Sequence, residues 1–324
     1  MALGSTRRRF LGHLTGGAAL AGFRVGPAAR PGAAADSIYQ RLWDADQEQR
    51  GIPALAAASR GDLRRGYVRI DERAGDDPEH RLFVEVVIPE DKRLTYDLCQ
   101  RLLDNYRLDQ TKPEDTTAEE AREILALLDA VTDSAPIAAA RAHLHEAYGV
   151  DESRDGIQAL LFDLWFRPFD EGRSRDLSGF EHVMVGEQRQ SAVNGYHFWY
   201  KYYLDDWGLL GRPDSIDFDG LRYDGPNRRP GRLTAFGTEV PEVVTLAFHW
   251  HAEDDGVRRP LYKPIGGFWV GCSVEGLMAL GLVRFFARGR VEATINRGRY
   301  LVDLHRSPDG QSIRTFFPRF LGLA

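Results

Sequence analysis

The hydrophobic period of this chain changes near residue 167, and that change constrains its fold more than any other feature. Upstream, apolar residues recur every three to four positions. "SIYQRLWDADQEQ" sets Ile38, Tyr39, Leu42 and Trp43 on one helical face, with Ser37 as N-cap and Gln40 three residues on. "LTYDLCQRLLDNY" repeats the spacing. "TAEEAREILALLDAV" opens on a capping box, Thr117 with Glu120, and "APIAAARAHLHEAY" has Pro136 at a first helical position. "GIQALLFDLWF" reads as a further helical or buried segment, and "RLFVEVVIP" as a short strand between the first two helices. Downstream the texture is aromatic and β-branched, with short runs bounded by Gly, Pro or Asp. "FEHVMVGE", "VVTLAFHW", "GFWVGC", "VEATI", "RYLVDLH" and "IRTFFP" read as strands. Two helices interrupt them, "AVNGYHFWYKYYLDD" and "SVEGLMALGLVRFFAR", the second capped by Ser273. Helices followed by mixed, mostly antiparallel sheets predict an α+β fold. The parts divide as residues 36–166, helical, and 167–324, sheet-rich, with a weak boundary at "RPFDEGRSRD".

Residues 1–35 read differently. Thr6, Arg7, Arg8, Arg9, Phe10 and Leu11 form a twin-arginine arrangement, followed by a Gly/Ala-rich apolar run and "PGAAA" ending in an A-x-A pattern. This predicts an export signal cleaved before Asp36 and a mature protein that is periplasmic or extracellular. No later stretch reaches the roughly 18 apolar residues that a membrane span needs, and no motif points to a protein partner. The leader holds five arginines and no acids, so removing it takes the formal charge from −6 to −11. The balance is uneven: residues 258–324 hold eleven Lys/Arg against four Asp/Glu, a local +7 that could hold a polyanion. Two cysteines, Cys99 and Cys272, do not make a disulfide framework, and Cys99 sits in a helical pattern as a small hydrophobe.

Histidines are the chemically informative residues. His143 and His145 lie two apart on a helix and face different ways, and His80 is in a loop-like "DDPEHR". In "FHWHAEDD", His249 and His251 share a strand face with Glu253 and Asp254 beyond; the pair could bind zinc or manganese, but no third ligand is fixed by spacing. A structural or surface role fits them better. His182, in "SGFEHVMVGE", and His197, in "NGYHFWYKYY", lie in aromatic, glycine-containing segments fifteen residues apart. Two imidazoles can serve as general acid and base near neutral pH. "LYKPIGG" adds Lys263, a cation suited to a crowded phosphorane. Together they would suit attack of an RNA 2′-hydroxyl on its adjacent phosphate, although spacing alone also fits three unrelated residues.

These segments resemble the EndoU (poly(U)-specific) endoribonuclease family, including the coronavirus uridylate-specific enzymes. "LWDADQEQR", the two following helical segments, "SGFEHVMVGE", "NGYHFWYKYYLDD", "FHWHAEDDG", "YKPIGGFWVGCSVEGLMAL" and "IRTFFP" occur in family order, from Ser37 to Phe320. The resemblance implies an EndoU-type α+β fold and an endoribonuclease acting on single-stranded, uridine-containing RNA, with a 2′,3′-cyclic phosphate as product. It implies His182, His197 and Lys263 as the catalytic trio, with His182 as acid and His197 as base by analogy with the viral relatives. Glu181 and Glu187 match acidic residues bracketing the first histidine, with roles between orienting the ring, binding a metal and lying at a strand edge. Thr315 matches a uracil-reading threonine. Two positions depart from the pattern: Phe317 replaces a tyrosine, and Gly267 stands where relatives often carry a serine. Both fall on base recognition, so RNA cleavage is implied more firmly than strict uridine preference. Manganese is implied as cofactor, with no ligand set identified. Two alternatives remain: an EndoU fold kept as a catalytically silent RNA- or protein-binding module, and a metal-dependent hydrolase using His249 and His251.

Overall fold

Helix caps and alternating strands set the element order. The computed structural model describes residues 33–56, 58–71, 81–210, 215–222, 242–254 and 257–324. The leader through residue 32 and the His80 loop lie outside the described residues. Five helices dominate the first part: α1 (Ala33–Gln49), α2 (Leu94–Leu102), α3 (Ala118–Thr132), α4 (Ala135–Tyr148) and α5 (Arg154–Trp165). The capping box at α3 is formed as expected, with the Glu120 N–H donating to Thr117 Oγ1 and the Thr117 N–H to Glu120 Oε2. Ser37, expected as the cap, falls inside the helix rather than at its first turn. Alanine favours helix, and Ala33–Ala35 extend α1 upstream past that serine. A small sheet, β1 (Ala54–Ala56), β2 (Tyr67–Ile70) and β3 (Phe83–Val87), lies between α1 and α2, and only β3 was foreseen.

Residues beyond α5 form the hairpin β4 (Phe169–Glu171) and β5 (Ser174–Leu177), then β6 (Glu187–Arg189), β7 (Ala192–Asn194) and α6 (Trp199–Asp206). The long strands β8 (Ser215–Arg222), β9 (Val243–Asp254) and β10 (Val257–Trp269) complete a five-stranded sheet ordered β6-β7-β10-β9-β8. Its pairs are antiparallel except β7 with β10. Helix α7 (Val274–Phe286) leads to an antiparallel sheet, β11 (Glu292–Ile295), β12 (Gly298–Arg306) and β13 (Ile313–Leu323). The fold is α+β.

Helix α7 is buried along its whole length and packs against α1, α4 and β12. A helix apolar on all sides belongs inside, and this one gives both parts a common core. Its N-terminus is locked by polar contacts. Ser273 Oγ accepts from the Gly276 N–H and donates to the carboxylate of Asp46 on α1, while Glu275 takes Thr95 Oγ1 at 2.7 Å and pairs with Arg50 at 3.2 Å. Burial and the neighbouring Glu275 push Asp46 up to about 7. Aromatic pairs cross the expected boundary: Phe166 stacks on Phe180 at 4.8 Å, and Trp165 meets Phe316 edge-on at 6.3 Å. Cys99 and Cys272 are buried and free. Among the described residues no helix is long and apolar enough to cross a membrane.

Leu280 tests the central helix. It is 1% exposed, and Leu280→Ala should cost about 2–5 kcal/mol through lost burial and a residual cavity. A lowered urea midpoint with an unchanged slope is the expected result.

Candidate active site

The segment "FEHVMV" is not the expected strand. Residues Glu181–Val185 form a π turn, closed by the Gly186 N–H on the Glu181 carbonyl at 2.9 Å. Ser178 starts it, its Oγ accepting the Glu181 N–H at 3.2 Å. Every residue of the turn is buried, so nothing was left to alternate. The local signal was Ser178 followed three residues on by Glu181, a capping-box spacing outweighed by the β-branched run.

His197 precedes α6 rather than lying within a helix. The chain reaches it through two left-handed residues, Gly195 and Tyr196, both at φ 65°. Glycine is required at the first, because a Cβ there would fall 1.8 Å from the His182 carbonyl oxygen. That close approach allows two backbone bonds: the Tyr196 N–H donates to the His182 carbonyl at 2.8 Å, and the His197 N–H to the Val183 carbonyl at 2.7 Å. The two imidazoles are thereby held with ring centroids 6.3 Å apart.

Each ring is pinned through Nδ1. His197 Nδ1 lies 3.0 Å from the Gly267 carbonyl oxygen, which can only accept, so Nδ1 carries the hydrogen and Nε2 presents its lone pair. His182 Nδ1 lies 3.1 Å from Glu187 Oε2. Arg314 forks the same carboxylate, with Nη1 to Oε1 and Nη2 to Oε2 each at 3.1 Å, and its Nη1 also lies against His182 Nδ1. Two N–H donors cannot bond one another, so Glu187 is the acceptor both share. Arg314 Nε reaches Glu171 at 2.8 Å. Lys263, on β10, is buried with Nζ 3.5 Å from the Val193 carbonyl oxygen.

Burial governs the ionisation of the group. It is the largest influence on His182, lowering it to about 4, helped by Arg314 and Lys263 and opposed by Glu187. His197 is held well below its ordinary value by burial, then by Lys263 and His182. Burial likewise lowers Lys263, to about 8, against the pull of Glu187. For Glu187 burial acts upward, but His182 and Arg314 outweigh it and its carboxyl stays below the ordinary range.

The structure thus brings His182, His197, Lys263 and Glu187 together. Glu181 is buried on the same π turn. Phe317 on β13 stacks on His197, centroids 4.7 Å apart and planes 17° apart, and Thr315 lies two residues before it. Thr315 Oγ1 is buried and has no hydrogen-bond partner among the described residues. His249 and His251 sit on β9, with the His249 ring tilted against Tyr262, centroids 4.9 Å apart; the side chains of Glu253 and Asp254 lie outside the described residues. Among the described residues no three His, Cys, Asp or Glu side chains gather as a metal ion requires. Both Glu187 oxygens are already taken by Arg314, and one of them also by His182. This donor set does not fit manganese. A separate open cleft of about 650 Å³ is lined by Asp97, Asp104, Glu119, Glu120 and Glu123, carboxylates that repel a polyanion.

Comparison with known proteins matches this geometry to a family. The family profile "Endoribonuclease XendoU" matches residues 34–318. The chain belongs to the XendoU family. It is an RNA-cleaving enzyme of EndoU type. It is 28% identical over 294 residues to the poly(U)-specific endoribonuclease of Xenopus tropicalis, covering 88% of this chain and 92% of that one. It is 29% identical over 239 residues to uridylate-specific endoribonuclease C of Danio rerio, covering 70% and 68%. A solved structure, of XendoU as a splicing-independent snoRNA-processing endoribonuclease, shares the fold with a TM-score of 0.69 at 24% identity, covering 91% of this chain and 99% of that one.

Two features of this XendoU-family site were missed in the sequence. The Gly267 carbonyl acts through the backbone, which no residue type reveals. Arg314 carried no motif; its only signal was an arginine beside the aromatic pair of a largely apolar strand. Arg314→Met should leave the buried Glu187 short of a cation and lower stability by about 3–5 kcal/mol. Arg314→Lys, which keeps the charge but loses the fork, should lose less. Urea unfolding of the two variants measures the difference.

Proposed function

We propose that this endoribonuclease cuts single-stranded, uridine-containing RNA by 2′-hydroxyl transesterification, leaving a 2′,3′-cyclic phosphate. One observation carries the reading: two buried imidazoles 6.3 Å apart, each pinned through Nδ1 and so left with Nε2 for proton transfer. His197, neutral and with its Nε2 lone pair available, takes the 2′-hydroxyl proton. The 2′-oxygen attacks the adjacent phosphorus and the bond to the 5′-oxygen breaks. His182 gives its Nε2 proton to that leaving oxygen. Lys263 stabilises the charge on the phosphorane. His182 is neutral in the free protein at neutral pH, and the charge of a bound phosphodiester, added to that of Glu187, favours its protonated form.

Thr315 supports the uridine part of the proposal. Its Oγ1 has no hydrogen-bond partner among the described residues and would be available to a base edge once substrate opens the site. Phe317 offers a ring but no hydroxyl, and Gly267 no side chain, so the preference is relaxed rather than strict. Manganese has no fitting donor set among the described residues, and no step uses it. Export by the twin-arginine route to the periplasm or the outside is also proposed, on the residue 1–35 pattern alone.

The decisive assay pairs a uridine-containing oligoribonucleotide with its analogue 2′-deoxy at the scissile position, across all four bases and with and without Mn²⁺. Only the ribo-substrate should be cut, and equal cleavage of both sinks the mechanism. His182→Ala, His197→Ala and Lys263→Ala should each lose about 10²–10⁴-fold in kcat while remaining folded.

A pH profile tests the lysine. With Lys263 at about 8, its charge is present below that value and lost above it. Because His182 must be protonated, kcat/KM already declines with pH, and loss of the Lys263 charge should steepen that decline through about 8; an unchanged slope to pH 10 would exclude Lys263 as the charge stabiliser.

A further inference from the structure

Tyr196 is a bulky residue held in the left-handed region, where its side chain crowds its own backbone. Its neighbours over-determine that conformation. Beneath it, on successive turns of α6, Lys201 and Asp205 are 1% and 2% exposed. Lys201 Nζ is paired with Asp205 Oδ2, and the Tyr196 hydroxyl donates to the same oxygen. The ammonium also lies 4.9 Å from the ring centroids of both Tyr196 and Trp250. From above, Tyr202 OH donates to the Tyr196 carbonyl at 3.0 Å. The Tyr196 ring meets Tyr202 edge-on at 4.3 Å and is wedged against the end of the π turn, where a Cβ on Gly186 would fall 2.5 Å from Tyr196 Cδ2.

A buried ion pair is poor evidence of stabilisation, because apolar side chains of the same volume often serve as well. The direction of this one is informative. Both charges converge on the one residue whose N–H bonds the His182 carbonyl and whose successor is His197. We infer that Lys201 and Asp205 are positioning residues for RNA cleavage: by gripping the Tyr196 hydroxyl and ring they hold the Gly195–Tyr196 step and fix the spacing of the two histidines. The inference rests on the two-histidine reading above.

Three variants test it on the full chain: Tyr196→Phe, which deletes one hydroxyl; Asp205→Asn; and the double variant Lys201→Met/Asp205→Leu, which removes both charges together. The last keeps the test open if Asp205→Asn, with its buried lysine left unpaired, fails to fold. The readouts are kcat and KM on the uridine oligoribonucleotide, thermal unfolding, and the imidazole NMR resonances of His182 and His197. Tyr196→Phe and the double variant should unfold cooperatively near the wild-type temperature. Each should lose about 10- to 100-fold in kcat, as a displacement of under 1 Å can cause, with KM nearly unchanged and both imidazole environments shifted. Wild-type kcat in those two variants, or a loss no larger than the loss of folded protein, overturns the inference while the two-histidine reading stands. Cleavage surviving in both His182→Ala and His197→Ala sinks that reading, and the inference with it.

Discussion

Two backbone hydrogen bonds, from Tyr196 to His182 and from His197 to Val183, hold the site in register. They join segments that sequence separates and that no regular ladder connects. Their formation needs an irregular backbone on each side, a π turn in one segment and two left-handed residues in the other. Both conformations are unfavourable alone. They persist because the surroundings are rigid: α7 supplies a common apolar core, the π turn is buried at every residue, and aromatic rings fill the space beneath Tyr196. The core is therefore part of the chemistry, since proton transfer between fixed atoms tolerates little slack.

The same burial sets the electrostatics. Arg314 is shared between Glu187 and Glu171, Lys263 feels the charge of Glu187, and both imidazoles stay neutral. On the proposed mechanism, the charge of a phosphodiester adds to that of Glu187, so substrate binding and protonation of His182 are linked. Low-dielectric surroundings strengthen that linkage relative to water.

The sequence made visible what is encoded by periodicity or residue type. The capped helices α3 and α7 stand where their spacing predicted, as do the strands around "VVTLAFHW" and "IRTFFP". His182, His197, Lys263 and Glu187 were singled out and are gathered in space. What stayed hidden is encoded by tertiary context. "FEHVMV" carries strand-like residues, yet complete burial removes the contrast on which a period depends, and Ser178 with the Gly186 bond makes a turn of it. Strands β1, β2, β6 and β7 have three or four residues each, too few to show alternation. Arg314 gains its meaning only from the carboxylates that β4 and β6 bring to it.

The two departures from the family pattern fall where the structure tolerates them. At residue 267 the work is done by a carbonyl, which every residue type possesses. A side chain there is limited chiefly by the Pro318 oxygen, 3.2 Å from where a Cβ would lie. At residue 317 the ring packs flat on His197, and stacking depends on the face rather than on a para hydroxyl. Neither change disturbs the pinning of an imidazole. On the proposed function, base reading and bond cleavage would draw on separable atoms of shared residues: positions 267 and 317 hold the imidazole through a carbonyl and a ring face, and neither needs a side-chain oxygen.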